Sequence, residues 1–277
     1  MTPDFTLLMP VYAGDNAAFV RTAYGSATTQ QTLPPTRVMI VRDGPVGAEL
    51  EAWLGEVEAD PSVTVVRLER NSGLAAALNA GLEKVTTEIV ARADADDICL
   101  PERFARQVPL IAGGLDIVGA AIAEFTDDPG HPGPVRGVKT TQAEIERQAR
   151  LTSPFHHPTV VFRTNAVRAV GGYPELRQIE DYLLWARLLM HGARVGNVGD
   201  VLVLYRVGAG AFARRGGRTL ARSEAALQRE FRAMGFTTRG QWLRNRIMRG
   251  PLYRYQPAWL RRPLYHLWQI VKRHGRP

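Results

Sequence analysis

The sequence predicts an α/β protein with a mostly parallel central sheet flanked by helices. Short apolar runs alternate with helical patterns through the first half of the chain, which is typical of βαβ units. These runs are continuously apolar, as expected of strands that are covered on both faces. A carboxylate cluster, Asp94, Asp96 and Asp97, directly follows one of the runs. Because ligands in open α/β sheets bind beyond the carboxyl ends of the strands, this cluster marks the predicted functional edge.

The elements of the first hundred residues follow from local signals. Asn16 is a good N-cap for the first helix, Pro34 and Pro35 break the chain after it, and Gly73 introduces a helix rich in Ala and Leu. In chain order, the predicted elements are a strand at 5–9, a helix at 16–30, a strand at 37–41, a helix at 49–59, a strand at 63–68, a helix at 74–84 and a strand at 88–93.

The second half continues the alternation with longer connections. Residues 127–134 are rich in Asp, Gly and Pro and predict a surface loop. We expect residues 1–218 to form one domain with halves at 1–100 and 101–218, followed by a basic helical appendage at 219–277. The predicted elements are a helix from 101 to 112, a strand at 116–120, a helix at 142–151, a strand at 159–163, a short helix at 165–170, a helix at 180–191 and a strand at 201–205.

The composition bounds the class of protein. The 277 residues are 45% hydrophobic and 22% charged, which is ordinary for a soluble globular protein. The single cysteine, Cys99, excludes an intrachain disulfide and agrees with a reducing cytoplasm. No basic stretch precedes the first apolar run, so no signal peptide is expected. No apolar run reaches the roughly 20 residues that cross a bilayer as a helix.

The net charge of +8 is concentrated at the end of the chain. Residues 231–277 contain 11 Lys and Arg and no Asp or Glu, whereas the rest of the chain has 24 basic and 27 acidic residues. Aromatic and aliphatic residues alternate with the arginines in this segment, and breaks at Gly250-Pro251 and Pro257 predict two amphipathic helices. Such segments bind anionic membrane surfaces, RNA, the rest of the chain or a second copy in a homo-oligomer. The membrane is favoured and nucleic acid is disfavoured.

The carboxylates after the strand at 88–93 are badly placed for stability. Like charges this close repel one another, and each resists losing its hydration. They are well placed for a divalent cation, because Mg²⁺ and Mn²⁺ prefer one or two carboxylates together with phosphate oxygens of a substrate. The cluster therefore predicts a cation held against a phosphate.

Several short motifs follow one another in a fixed order from about residue 7 to residue 206. The motifs are Pro10-Val11-Tyr12, Val41-Arg42-Asp43-Gly44, Asn71-Ser72-Gly73 with Ala76, Leu78, Asn79 and Gly81, Asp94-Ala95-Asp96-Asp97 with Pro101-Glu102-Arg103, His157-Pro158-Thr159, Gly171-Gly172-Tyr173 and Glu180-Asp181-Tyr182. Together they resemble the motifs of glycosyltransferase family 2, whose members have the GT-A fold. The likeness is greatest to bacterial enzymes that assemble exopolysaccharides, capsules or O-antigens.

The resemblance implies a site for a UDP-sugar in residues 1–100. Tyr12 would pack on uracil and Asp43 would accept from its N3–H; the alternatives are an aromatic covering the sheet edge and an ordinary turn residue. Arg42 stands where many members carry a further acidic residue. The residues expected to bind the nucleotide-sugar are Pro10, Val11, Tyr12, Asp43, Asn71, Gly73, Asn79, Arg92, Asp94, Ala95 and Asp96.

The resemblance also implies a metal cofactor, Mn²⁺ or Mg²⁺. Asp94 would lie near the ribose, and Asp96 would hold the metal that bridges the two phosphates and activates the leaving diphosphate. Asp97 would contact the metal through water or cap the following helix. Arg103 is expected to pair with a carboxylate. His157 is a candidate second ligand, with a buried structural histidine as the alternative.

In the second half, Asp181 occupies the position of the family's catalytic base. It would remove the proton from an acceptor hydroxyl as that oxygen displaces the diphosphate with inversion, and the start of a helix would favour its ionised form. The alternative is that Glu180 and Asp181 merely complement the helix dipole. Glu180 and His156 are expected to orient the acceptor, and Trp185 to wall its site. Arg206, Arg214 and Arg215 are candidates for a flap over the diphosphate.

Two departures from the family's patterns refine the expected function. The Gln-x-x-Arg-Trp signature of processive relatives is absent near residue 185, so transfer of a single sugar is expected. No His follows Tyr205-Arg206, which removes one common metal ligand. The predicted function is inverting, metal-dependent transfer from a UDP-sugar to a lipid-linked saccharide acceptor, in the cytoplasm and peripheral to the inner face of the bacterial plasma membrane. The alternatives are a non-catalytic nucleotide-sugar-binding relative and a nucleotidyltransferase.

Overall fold

The computed structural model describes residues 3–208 and 218–254. The chain divides into two compact units, one formed by residues 1–175 and 180–206 and the other by residues 176–179 and 207–277. The boundary predicted at residue 218 therefore lies inside the second unit. The candidate flap residues Arg214 and Arg215 lie outside the described residues.

The first part of the sheet is parallel, as the sequence predicts. Four strands pair in the order β3-β2-β1-β4 with parallel register throughout. Leu7 and Met9 of β1 pack into one buried cluster and Leu8 packs into another, because successive side chains on a strand point to opposite faces. The elements are β1 (Phe5–Tyr12), α1 (Ala17–Ala27), β2 (Arg37–Asp43), α2 (Ala48–Val57), β3 (Val63–Arg67), α3 (Leu74–Lys84) and β4 (Ile89–Arg92).

The second part of the sheet is mixed. The order continues from β4 as β8-β6-β9-β5, in which β6 and β9 are parallel and the other neighbours antiparallel. The two-residue strands β5 and β7 are too short for the sequence pattern to reveal. The elements are β5 (Ile98–Cys99), α4 (Arg103–Ala112), β6 (Ile117–Phe125), β7 (Val135–Arg136), α5 (Gln142–Ala149), β8 (Val161–Arg163), α6 (Thr164–Ala169), α7 (Glu180–Met190) and β9 (Val195–Arg206).

In the second unit, two helices, α8 (Arg218–Ala233) and α9 (Arg239–Arg254), are joined by a short turn. The turn uses Gly235 at φ 73°, a left-handed conformation that glycine adopts without strain. The break predicted at Gly250-Pro251 is wrong, because α9 continues through both residues. A proline here removes the hydrogen bond of one turn and leaves the earlier turns intact. Among the described residues, no helix is long and apolar enough to cross a membrane.

Candidate active site

The carboxyl ends of β1 and β2 place Tyr12 beside Asp43, which are paired positions in the sheet. The Tyr12 side chain is 42% exposed, so its ring is available to a ligand. Val11 is 1% exposed, and its side chain packs into the core. Pro10 is partly buried. In the motif Pro10-Val11-Tyr12, the side chain of Tyr12 is therefore available to a ligand at the edge of the sheet. The side chain of Val11 is not, which leaves only its backbone for such a contact.

Asp43 organises the loop that enters α3. Its two carboxylate oxygens accept hydrogen bonds from the backbone N–H groups of Ser72 at 2.6 Å and Gly73 at 2.9 Å. Asn71 also donates from its side chain to the Asp43 carbonyl at 3.4 Å. Each carboxylate oxygen has a second lone pair, so these structural bonds leave Asp43 able to accept another hydrogen bond. The expected bond from uracil N3–H stays a prediction.

Arg92 is the buried cation of the site. It is 1% exposed at the end of β4 and forms a bidentate ion pair with Asp94, with Nη1 to Oδ2 at 2.7 Å and Nη2 to Oδ1. Such a planar pair fixes the orientation of both groups. Asp94 is therefore held before any nucleotide arrives, and its expected place near the ribose stays a prediction. Ala95 is buried beside it.

Arg206, at the end of β9, fixes the loop that carries Asp96 and Asp97. Its backbone N–H donates to Asp97 Oδ1 at 2.8 Å, and its Nε donates to the Asp96 carbonyl at 2.9 Å. Its guanidinium lies 3.8 Å from the ring centre of Phe19 and 4.4 Å from that of Phe125. Arg206 is thus held by aromatic faces and positions the carboxylate loop; its expected contact with a diphosphate stays a prediction.

Asp97 is the buried member of the cluster, with 3% of its surface exposed. Burial, and then the nearby charges of Asp94 and Asp96, raise the pKa of Asp97 well above its ordinary value. Its Oδ2 is buried without a hydrogen-bond partner among the described residues. An unpaired buried oxygen of this kind is costly unless water, a proton or a cation satisfies it.

The residues present fit a divalent cation that is shared with a substrate. Within residues 3–208 and 218–254, no three His, Cys, Asp or Glu side chains are grouped closely enough to hold a metal by themselves. Mg²⁺ and Mn²⁺ do not need such a cage, because phosphate oxygens and water supply the remaining ligands. The partly exposed Asp96 and the unpaired oxygen of Asp97 are carboxylate groups of the required kind.

His157 belongs to an aromatic cluster with Tyr173 and Trp185. Its Nε2 lies 3.1 Å from the Tyr173 hydroxyl, and its ring centre lies 5.4 Å from that of Tyr173 and 5.8 Å from that of Trp185. Burial, and next the charge of Arg92, lower the pKa of His157 well below its usual value. The imidazole is therefore neutral at neutral pH, and its role as a metal ligand stays a prediction.

Trp185 corrects one expectation from the sequence. Its side chain has no exposed surface and packs against Phe155 with the ring centres 5.6 Å apart. A wholly buried side chain cannot wall an acceptor site, so that prediction is wrong. Trp185 instead packs edge-on against the rings of His157 and Tyr173.

Asp181 lies in the first turn of α7, at the positive end of the helix dipole. Protein atoms surround it closely, although part of the residue still reaches solvent. Burial raises the pKa of Asp181 to about 6, against a hydrogen bond from the Tyr182 backbone and the charge of Arg92, which lower it. The neighbouring Glu180 is buried. Asp181 is thus a largely enclosed carboxylate that ionises just below neutral pH.

Asn79, in α3, is bonded to the distant backbone of Tyr173. Its amide donates to the Tyr173 carbonyl at 2.8 Å and accepts from the Tyr173 backbone N–H at 2.8 Å. Gly172, at φ 70°, leaves room for it, because a Cβ there would lie 2.5 Å from the Asn79 side-chain oxygen. The structure gives Asn79 a structural role, and its contact with a nucleotide stays a prediction.

Two further side chains hold backbone segments. The His156 Nε2 lies 3.1 Å from the Arg136 carbonyl, so this side chain is tied to a neighbouring strand, and its acceptor role stays a prediction. The expectation that Arg103 pairs with a carboxylate is wrong. Its bonds go to neutral acceptors, the Arg92 carbonyl at 2.6 Å, Cys99 Sγ at 3.0 Å and the Gln107 side chain at 3.2 Å.

Sequence reasoning missed two parts of the site. Tyr173 was visible within a Gly-Gly-Tyr motif, but its bond to His157 depends on long-range packing. The aromatic contacts of Arg206 join Phe19 and Phe125, which are distant in sequence and carry no local signal.

Comparisons with known proteins define the class. The structure of S. aureus TarS 1-349 in complex with UDP-GlcNAc matches with a TM-score of 0.67 at 17% identity, over 90% of this chain and 74% of that one. The mannosyltransferase PcManGT from Pyrobaculum calidifontis, in complex with GDP-Man and Mn²⁺, matches with a TM-score of 0.66 at 19% identity, over 91% and 72%. At these identities the likeness shows the fold, which is that of GT-A glycosyltransferases and confirms the predicted fold class.

Sequence comparison gives the family. A sequence model of Glycosyl transferase family 2 matches residues 6–171. The amylovoran biosynthesis glycosyltransferase AmsE of Erwinia amylovora is 40% identical over 202 residues, 72% of this chain and 75% of that protein. The UDP-Gal:alpha-D-GlcNAc-diphosphoundecaprenol beta-1,3-galactosyltransferase of Escherichia coli is 34% identical over 250 residues, 90% of each. The chain belongs to glycosyl transferase family 2 and is a glycosyltransferase, which confirms the predicted resemblance and displaces the nucleotidyltransferase alternative.

Proposed function

We propose that this glycosyltransferase moves one sugar from a UDP-sugar to a lipid-linked saccharide with inversion, in the assembly of a bacterial polysaccharide, and that it requires a divalent cation. The observation that carries the proposal is that two carboxylate environments share Arg92, which pairs with Asp94 in one and whose charge lowers the pKa of Asp181 in the other. Asp96 and Asp97 form a carboxylate loop suited to a cation and a diphosphate. Asp181 is a separate carboxylate, with a pKa of about 6, that is suited to take a proton.

The base acts on the acceptor hydroxyl. A general base works best when its pKa lies near the operating pH, because it is then both ionised and able to hold the proton. Burial gives Asp181 this property, and the α7 dipole and Arg92 keep it ionised near pH 7. Deprotonation lets the acceptor oxygen attack the anomeric carbon opposite the diphosphate, so that one displacement inverts the configuration.

Asp96 would hold the cation, with Asp97 contributing directly or through water. When bound, the cation neutralises charge on the departing diphosphate. The chain's own part is to hold the loop still, which Arg206 does through the Asp96 carbonyl and the Asp97 carboxylate. Arg92 holds Asp94 in one orientation at the start of the same loop.

The donor and acceptor are proposed from the relatives and the nucleotide edge. The Escherichia coli relative is named for UDP-Gal and an acceptor on diphosphoundecaprenol, and the Erwinia amylovora relative for amylovoran biosynthesis. Tyr12 beside Asp43 offers an aromatic face and an acceptor for uracil N3–H. These features support a uridine nucleotide donor and a polysaccharide precursor on a lipid diphosphate.

A donor panel tests the proposal. Purified protein is incubated with UDP-, GDP- and CDP-sugars and a synthetic lipid-diphosphate saccharide, and release of nucleoside diphosphate and formation of product are measured. We expect turnover only with a UDP-sugar, loss of turnover with EDTA and recovery with excess Mn²⁺ or Mg²⁺. Asp96→Ala should abolish transfer, whereas the exposed Asp127→Asn should not. Turnover with a GDP-sugar, or full activity in EDTA, would contradict the donor or the metal requirement respectively.

A further inference from the structure

Helix α9 is arranged with its polar side inward. Asn245 is fully buried, whereas Leu243 is 54%, Ile247 64% and Met248 57% exposed. A surface helix of a globular protein normally does the reverse. The apolar residues at 243, 247 and 248 form a stripe along the outer side of α9, which we call the α9 stripe.

The inward side of α9 is fixed by bonds to α8. Arg249 donates to both carboxylate oxygens of the buried Glu224, at 2.7 and 3.0 Å. Asn245 donates to the buried Gln228 side chain at 3.3 Å. Separating the partners of a buried ion pair is strongly destabilising, because it leaves a buried charge uncompensated. We therefore expect α9 not to rotate to hide the stripe. The stripe is therefore held in solvent by the polar contacts behind it.

The surroundings of the stripe are basic. Arg239 and Arg246 are exposed beside it, and the Arg246 guanidinium lies 4.9 Å from the ring centre of Trp242. A shallow cavity of about 350 Å³ is lined by Arg232, Arg239, Trp242 and Leu243. No acidic residue occurs in the sequence from 231 to the end at 277.

The apolar α9 stripe and its basic surroundings together favour one kind of partner. A second copy of this face, or the basic segment 255–277 of the same chain, would bring arginines against arginines and be repelled. A nucleic acid would satisfy the arginines but would gain little from Leu243 and Ile247. An anionic bilayer satisfies both, because aliphatic side chains enter the interface while arginines reach the lipid phosphates.

We propose that α9 docks on anionic phospholipid bilayers, with the α9 stripe inserted at the interface and Arg239 and Arg246 bound to phosphate groups. The helix then lies flat on the surface, as interfacial amphipathic helices do. This inference does not depend on the proposed transfer reaction, because lipid phosphates alone supply the binding partner.

Vesicle co-sedimentation of the full chain tests this proposal. Vesicles of phosphatidylcholine with 30% phosphatidylglycerol are compared with pure phosphatidylcholine; neither contains a saccharide lipid. We expect binding to the anionic vesicles, at least about tenfold weaker binding to the neutral ones, and weakening with salt. Leu243→Ser with Ile247→Ser should weaken anionic binding by about tenfold or more, through lost burial of apolar surface. Arg239→Gln with Arg246→Gln should remove much of the preference for anionic lipid.

A matched control separates insertion from general loss of structure. Ala225 and Ala233 are exposed on α8, so Ala225→Ser with Ala233→Ser makes the same number of changes on the other helix and should retain binding. Circular dichroism should give equal helix content for all variants. The proposal is overturned if the Leu243/Ile247 variant binds anionic vesicles normally, or if the chain binds single-stranded RNA but not vesicles.

Discussion

Replacing the proposed base with asparagine should stabilise the protein at neutral pH while abolishing transfer. In the folded chain, burial raises the pKa of Asp181 from 3.8 to about 6. The ionised carboxylate is therefore less stable in the folded protein than in the unfolded chain. Asparagine has nearly the same shape and no charge, so Asp181→Asn removes this cost. The base itself contributes about 10²–10⁴ in rate, which the variant loses.

The magnitude follows from the size of the shift. One pKa unit corresponds to about 1.4 kcal/mol, so a shift of roughly two units gives an upper value of about 3 kcal/mol. Because Asp181 keeps some contact with solvent, screening reduces the expected gain to about 1–2 kcal/mol. For a protein of this size, that corresponds to a rise in melting temperature of about 2–5 °C.

The stabilisation expected for Asp181→Asn depends on pH. A group with a raised folded pKa binds its proton more tightly in the folded protein, so its contribution to stability is lost as pH rises from about 4 to about 6. The advantage of Asp181→Asn should therefore be only about a third of its full value at pH 4.5 and nearly full above pH 6.5. It is measured by thermal unfolding at both pH values, with the exposed Asp127→Asn as the control. A variant that is less stable than the parent at pH 7.5, or a gain equal at both pH values, would refute the argument.

Further expected outcomes concern Asp181, Asp43 and Arg206. kcat/KM should fall about tenfold per pH unit below about pH 6, as Asp181 is protonated, and a flat profile to pH 5 would exclude it as the base. Asp43→Ala should lower the free energy of unfolding by about 2–4 kcal/mol in urea titrations, because two backbone N–H groups lose a charged acceptor, and should weaken UDP binding in calorimetry; unchanged stability would contradict this. Arg206→Lys keeps the charge but loses the planar contact with Phe19 and Phe125, so transfer at saturating metal should fall about 10–100-fold with the fold retained, and undiminished transfer would show that the loop needs no such support.

The elements of the first hundred residues could be predicted well because their signals are local. The helix predicted at 74–84 has the same bounds in the structure, and Asn16 caps the first helix by accepting from two backbone N–H groups at 2.9 and 3.2 Å. The alternation of strands and helices over short distances accounts for the parallel direction of β1 to β4.

The site could be predicted in its residue types but not in its contacts. Nothing local indicates that Arg92 is buried or that its charge acts on His157 and Asp181. Both residues are far from Arg92 in sequence and come near it only through long-range packing. The same reason explains Trp185, whose spacing from Asp181 suits a site wall but whose side chain faces inward.

The double hydrogen bond between Asn79 and the Tyr173 backbone has a consequence for how these positions vary among relatives. Only a short side chain with both a donor and an acceptor satisfies an N–H and a carbonyl together; aspartate would leave the carbonyl unpaired, and leucine would leave both groups unpaired. The partner atoms belong to the main chain, so this contact places no demand on which side chain stands at 173. We therefore expect asparagine to persist at position 79 in relatives whose residue at 173 differs, provided that glycine remains at 172.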